Sequence, residues 1–247
     1  MKSSKRKARP ARRKRGAVRK RAPARPHAAN RKRARVAARA ASAERIAFPI
    51  ALPGMRIGLF GGTFDPPHDA HRAASLLALK RLGLDRIWWL VSPGNPLKKN
   101  TSLPPLAKRI AASRKAAAHP AIEVSGIEAA LGTRFTRDTV KKLQARFPQV
   151  RFVLVIGADN LAILHRWKNW RALAEHIPIA VVDRPDYDLS ALAAPAAAAL
   201  ARARLDERDA GVLALRAPPA WVFLHGLKSE LSSTAIRAGS AAKFRKG

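Results

Sequence analysis

A short apolar run, Ile57-Gly58-Leu59-Phe60, passes directly into a double glycine, a proline-stiffened turn and a helical stretch that opens with two histidines. This unit, Arg56 to His71 (RIGLFGGTFDPPHDAH), constrains the fold more than any other part of the chain. The apolar run has the character of a buried strand. Gly61 and Gly62 give a chain leaving such a strand free backbone angles, and they leave room for a ligand to approach the main chain. Thr63, Phe64, Asp65 and Pro66-Pro67 then make a rigid turn. From Asp69 the pattern is helical (DAHRAASLLALKRLG), and residues three apart at a helix start share a face. His68 and His71 are therefore expected to point back toward the glycine turn, where main-chain N–H groups and the helix N-terminus favour an anion.

Two other glycine motifs are excluded. A P-loop needs Gly-Lys-Ser/Thr after four intervening residues, and no such Lys-Ser/Thr pair follows here. A dinucleotide fingerprint needs a third glycine where this chain has Asp65. Two histidines beside a turn would by themselves fit a plain helix cap. Joined to the strand, the double glycine and the prolines, they point to an anion site.

The 247 residues, 47% of them hydrophobic, are enough for one substantial core and an extension. There is no cysteine, which excludes disulfides, thiolate metal sites and a cysteine nucleophile. No apolar run approaches the roughly 20 residues that span a bilayer, so no membrane association and a cytoplasmic location are expected. Of the 49 Lys and Arg residues, 19 lie in residues 1–50 against the single acid Glu44, so that stretch carries +18 of the formal +33. Composed of Lys, Arg, Ala and Pro, it buries too little apolar surface to offset chain entropy and reads as a disordered basic extension. Its charge suits nonspecific contact with nucleic acid or another acidic surface, and the alternative is a solvated, dispensable tail. It lacks the apolar core of a secretory signal. Met55 directly precedes Arg56, so a chain beginning there would keep the whole predicted domain, 51–247.

From Ile57 onward strands and helices alternate. Strands are expected near 56–60, 86–91, 122–124, 151–156, 177–182 and 221–224. Helices are expected near 69–82, 104–118 and 136–147, with two short ones after Gly157, from Asp159 and around 167–176. An Ala-rich helical connector is expected over 190–204. Such alternation argues an α/β fold with a doubly wound parallel sheet, binding ligands at the C-terminal ends of its strands.

Two further segments carry chemistry. Glu230-Leu231-Ser232-Ser233-Thr234-Ala235-Ile236-Arg237 reads as a capped helix start where hydroxyls, N–H groups and a guanidinium converge, a corner able to hold phosphate. Asp159, in Gly157-Ala158-Asp159 at a strand end, is placed to accept hydrogen bonds from ribose hydroxyls.

GGTFDPPHDAH resembles the (T/H)xGH signature of the nucleotidyltransferase superfamily, and within it the chain is similar to the bacterial nicotinate-nucleotide adenylyltransferases. Ala70 stands where that family usually has Gly. The closing segment resembles its I-S-S-T-x-I-R motif with Leu231 for Ile, and Gly157-Ala158-Asp159 matches its G-x-D. Thr136-Arg137-Asp138-Thr139 resembles the T-x-x-T of the nicotinate pocket, and Phe135 stands where a Tyr is common. His165 to Trp170 resembles the family's tryptophan-containing helix. Trp167 there offers a π face to a pyridine ring, and Trp170 is expected in the core. Asn95, Pro96 and Lys98 match its P-x-N-P-x-K loop, where a lysine neutralises substrate phosphate.

The resemblance implies a Rossmann-like nucleotidyltransferase fold and adenylyl transfer from ATP to nicotinate mononucleotide in NAD biosynthesis. It implies catalytic His68 and His71. It implies ATP contacts from Gly61, Gly62, Thr63, Phe64, Asp159, Ser232, Ser233, Thr234 and Arg237. The mononucleotide falls to Asn95, Lys98, Thr136, Thr139 and Trp167. Mg²⁺ arrives with ATP, and no protein metal site is expected. The alternatives are phosphopantetheine or nicotinamide-mononucleotide adenylyl transfer and, in a different class, a nucleic-acid-binding protein acting through its tail. The Asn95–Lys98 loop, the threonine pair and Trp167 argue against phosphopantetheine. No sequence feature speaks to oligomeric state.

Overall fold

The computed structural model describes residues 48–94, 97, 102–183 and 188–226. Six strands form one all-parallel sheet: β1 (Arg56–Gly62), β2 (Arg86–Val91), β3 (Ile122–Ser125), β4 (Arg151–Gly157), β5 (Ile179–Val182) and β6 (Trp221–Leu224). Their order is β3-β2-β1-β4-β5-β6, the doubly wound arrangement. Parallel strands are covered on both faces, which is why these segments read as near-continuous apolar runs. Ile57 and Leu59, Trp88 and Leu90, Phe152, Leu154 and Ile156, Ile179 and Val181, and Trp221 and Phe223 feed one core layer. The alternate residues Phe60, Ile87, Trp89, Val91, Val153, Val155, Ala180, Val182, Val222 and Leu224 feed the other.

The second layer is closed by α1 (Asp69–Leu82), α2 (Leu106–Ala117) and a 3-10 stretch, Glu207–Leu215. Helix α1 lays Ala74, Ala78 and Leu82 on the sheet and stops at Gly83, whose φ of 60° is left-handed. The first layer is closed by α3 (Ile127–Ala130), α4 (Thr136–Arg146), α5 (Ala158–Ile163) and α6 (Trp170–Ala174), followed by α7 (Asp188–Leu192) and α8 (Pro195–Ala199). Phe48 already belongs to this body, edge-on to Phe147 at 5.9 Å between centroids.

Several sequence expectations shift. Strand β1 does not end at Phe60: Gly61 and Gly62 continue it, paired with Leu90 and Val91 of β2. Their φ angles are not positive, so the glycines provide space rather than a special turn. Helix α2 starts at Leu106 because Pro104 and Pro105 hold the preceding chain extended. Strand β5 starts at Ile179, since Pro178 has no N–H to pair. The helix expected around 167–176 is a 3-10 turn, Leu164–Arg166, followed by α6, the two separated by Asn169 with a left-handed φ of 56°. The Ala-rich connector is α7, α8 and a further 3-10 turn, Ala201–Ala203, broken by Pro195. Neither α3 nor the Glu207–Leu215 stretch was expected.

Candidate active site

The last rung between β1 and β4 is Phe60 to Val155. Beyond it β1 carries on along β2 as Gly61-Gly62, while β4 carries on along β5 as Ile156-Gly157. The two central strands therefore part at their C-terminal ends, at the point where strand order reverses, and leave a crevice where ligands of such folds sit. A cavity of about 540 Å³ opens there, with Gly61, Gly62, Ile156 and Gly157 in its walls.

One wall is the turn Thr63-Phe64 and the start of α1. Phe64 has φ 48°, which a non-glycine residue holds only when its surroundings fix it. Here its ring, 2% exposed, stacks on Trp89 at 4.8 Å and 11°. The Trp89 indole N–H donates to Ser75 Oγ (2.8 Å), and Ser75 donates to the His71 carbonyl (2.8 Å). This plate under the turn sets the two histidines. His68 is the N-cap of α1, and its main-chain N–H donates to His71 Nδ1 at 3.2 Å. An accepting Nδ1 puts the neutral ring's proton on Nε2, which makes Nε2 a donor. His71 lines the cavity; His68 packs on it at 3.8 Å between centroids and is not in the lining. His71 is thus the histidine that meets the cavity directly, with His68 packed behind it.

The opposite wall supplies Asp159, in the first turn of α5. The remaining lining includes Thr136, Thr139 and Trp167, so the described residues expected at the two ends of the reaction share one cavity. Trp170 is instead core, 8% exposed. Thr136 is the first residue of α4, whose N-cap is Phe135, and Lys168 Nζ lies 4.5 Å from the centre of the Phe135 ring. Thr139 is buried, with its Oγ1 2.8 Å from Thr133 Oγ1 and 3.2 Å from Glu128 Oε1. Arg134, Arg137, Arg166 and Lys168 line the same cavity against Glu128 and Asp159, a balance that favours anionic ligands.

Residues 59–239 match the family described as cytidylyltransferase-like. The chain belongs to this family. A relative from a Bradyrhizobium species (strain BTAi1), named probable nicotinate-nucleotide adenylyltransferase, is 62% identical over 183 residues, 74% of this chain and 95% of the relative. Another of the same name, from Rhizobium meliloti, is 53% identical over 187 residues, 76% of this chain and all of the relative. The chain is thereby placed among the nicotinate-nucleotide adenylyltransferases of the cytidylyltransferase-like family. A solved structure titled Plasmodium falciparum nicotinic acid mononucleotide adenylyltransferase complexed with NaAD shares the fold. Its TM-score is 0.53 at 18% identity, over 74% of this chain and 83% of that one.

Of the expected site residues of this cytidylyltransferase-like protein, Asn95, Lys98, Ser232, Ser233, Thr234 and Arg237 lie outside the described residues. Among the described residues there is no cluster of three or more His, Asp or Glu able to hold a metal ion, and no helix long and apolar enough to cross a membrane.

Two residues escaped the sequence reading, one behind the cavity and one in its lining. Arg109, 3% exposed in α2, spends its guanidinium on main-chain carbonyls of the active-site loops. Burial lowers its pKa and the charge of Asp65 opposes that shift. A signal existed: Arg109 leads the buried stripe Arg109, Ser113, Ala117, and an arginine in line with small residues at helical spacing is a candidate buried cation. Glu128, in α3, lines the cavity and is half-buried. Burial raises its pKa, with hydrogen bonds from Thr139 and Ser92 acting the other way. One turn of helix in a loop gave no periodicity to mark it.

Proposed function

We propose that the protein joins ATP and nicotinate mononucleotide to give deamido-NAD and pyrophosphate, as a nicotinate-nucleotide adenylyltransferase of NAD biosynthesis. The observation that carries this reading is 62% identity over 95% of a relative bearing that name. The cleft supports it independently, through its place at the β1/β4 split and the cations and histidine that line it.

In this reading the 5′-phosphate of the mononucleotide attacks the α-phosphorus of ATP in line. A new P–O bond forms as the bond to the β-phosphate oxygen breaks, and pyrophosphate departs with that electron pair. The nucleophile is already anionic at neutral pH, so the protein supplies position and charge neutralisation rather than a base. His71 Nε2–H donates to the transferring phosphoryl group as its charge develops. His68 holds the His71 ring in the tautomer that can donate. The main chain at Gly61-Gly62 and the Thr63-Phe64 turn take the triphosphate, and Asp159 takes the adenosine ribose. Ser232, Ser233, Thr234 and Arg237 hold the leaving pyrophosphate. Asn95 and Lys98 orient the attacking phosphate, and Thr136, Thr139 and Trp167 form the pyridine pocket. Mg²⁺ would enter with the ATP substrate and would supply charge neutralisation on its phosphates. The cytoplasm is the compartment proposed, because both substrates are phosphorylated molecules that do not cross membranes unaided.

The test is pyrophosphate release from ATP with nicotinate and nicotinamide mononucleotides in parallel. The acid is expected to have the larger kcat/KM, by roughly 100-fold if two buried polar contacts are mismatched in the amide complex. Equal values would leave a dual-specificity enzyme, and turnover only with phosphopantetheine would replace the proposal. Separately, the +18 of residues 1–50 suits nonspecific nucleic-acid contact. Binding that falls steeply with salt in the full chain, and vanishes in a chain starting at Met55, is the expected result.

A further inference from the structure

The N–H of Ser92 donates to the Gly62 carbonyl at 2.9 Å, the last rung joining β1 to β2. Past it the two chains separate. One turns through Thr63 and Phe64 toward α1; the other runs through Ser92, Pro93 and Gly94 toward α2. The Arg109 guanidinium occupies the fork. Its Nη1 donates to the carbonyls of Thr63 and Ser92, at 2.7 Å each, in place of the rung the diverging strands can no longer make. Its Nε donates to Pro104 O at 2.9 Å, and Nη2 lies 3.4 Å from Pro93 O. A lysine could not do this, because only the planar fork reaches several fixed acceptors at once.

We propose that Arg109 is a positioning residue that couples the two substrate half-sites. By holding the Thr63 and Ser92 carbonyls on one guanidinium, it makes the triphosphate turn and the Ser92–Gly94 arm a single mechanical unit, and the Ser92 side chain reaches Thr139 of the proposed pyridine pocket through the Glu128 carboxyl. The inference rests on the adenylyltransferase reading for the identity of the two ligands. The trans peptide turns the Phe64 N–H away from Arg109 when the Thr63 carbonyl faces it, so the orientation of that donor depends on the same bond. Thr63, Phe64, Ser92 and Gly94 all line the cavity, so a ligand ordering either arm of the fork orders the other through Arg109. Because the link runs through carbonyls, each half-site keeps its own side chains when Arg109 is changed. What is lost is their mutual registration.

The experiment measures the affinity of nicotinate mononucleotide, alone and with a saturating non-hydrolysable ATP analogue, for wild type and Arg109→Lys. Wild type is expected to bind the mononucleotide about tenfold tighter with the analogue present, a typical size for coupled sites. In Arg109→Lys that factor is expected to fall toward one, while each ligand alone binds within threefold of wild type and unfolding stays cooperative. A coupling factor retained in the variant overturns the proposal, as does the absence of coupling in wild type. So does an equal weakening of both ligands with the factor unchanged, which marks a merely structural role. A second measurement needs no variant: in wild type, mononucleotide alone should slow amide hydrogen exchange in residues 61–65, and unchanged exchange there also refutes it. If wild type binds neither ligand, the functional reading falls first and takes this inference with it.

Discussion

Replacing Gly61 by alanine separates the space a glycine leaves for the fold from the space it leaves for a ligand. A Cβ built on Gly61 meets no protein atom within 4 Å, whereas one on Gly58 of the same strand meets Leu84 Cδ1 at 2.9 Å, Ile87 Cγ1 at 3.0 Å and Val155 Cγ2 at 3.2 Å. One on Gly62 is intermediate, 3.3 Å from the Phe64 ring. Gly61 is exposed, its φ is not positive and it faces the cavity. Gly61→Ala should therefore leave the fold intact, or stabilise it by about 0.4–1 kcal/mol through a less flexible unfolded chain. In a protein of this size that is a Tm unchanged or raised by roughly 1–4 °C. The ligand is another matter. A phosphate oxygen at hydrogen-bond distance from this main chain, about 2.9 Å, cannot share the space with a methyl group. Losing one hydrogen bond to a charged group costs about 1.5–3 kcal/mol, roughly 10- to 150-fold in ATP affinity. The assay is the ATP KM from pyrophosphate release, run beside thermal unfolding. An ATP KM within twofold of wild type at unchanged Tm would refute the reasoning, since the triphosphate would then not lie against β1.

His71→Ala should lower kcat on the order of 100- to 1000-fold, the usual cost of one transition-state donor, with cooperative unfolding retained; turnover within threefold of wild type would remove it from the chemistry. Trp167→Ala should raise KM for the mononucleotide severalfold and leave that for ATP nearly unchanged, and an equal rise in both would take Trp167 out of the pyridine pocket. Glu128 carries a pH dependence. Burial holds its folded pKa above the ordinary value of 4.5, so the stability it confers is fully present below about pH 4.5 and is lost as pH rises through the folded value. Glu128→Gln should thus gain on wild type in urea unfolding as pH increases through that window, and a constant gap between the two proteins would show that burial does not raise the pKa of this carboxyl.

The sheet was legible because its strands are buried on both faces. Such strands must be apolar along their whole length, so RIGLF, RIWWLV and RFVLVI announced themselves, and the spacing between them left room only for crossover helices. His71, Gly61, Gly62, Asp159, Thr136, Thr139 and Trp167 were legible for a second reason: they sit in short motifs that resemble those of a known family, and all of them line the one cavity. The length of β1 was misjudged at Gly61 and Gly62 because glycine carries no strand signal, and there only pairing with β2 decides.

Arg109, Trp89 and Ser75 belong to a class that sequence reading handles poorly, and the reason is physical. Arg109 recognises four carbonyls, and a carbonyl is the same whatever residue bears it, so no partner in the sequence betrays the contact. Trp89 passes as one more apolar residue of β2, yet its indole N–H and its stacked face fix both Ser75 and the left-handed Phe64. Ser75 looks like a small residue on a helix face, yet it ties that indole to the His71 carbonyl. Each reaches the residues that line the cavity through main chain or through a neighbour's ring. A search confined to cavity-lining side chains would pass over all three, although their contacts hold the His71 carbonyl and the Thr63–Phe64 turn in place.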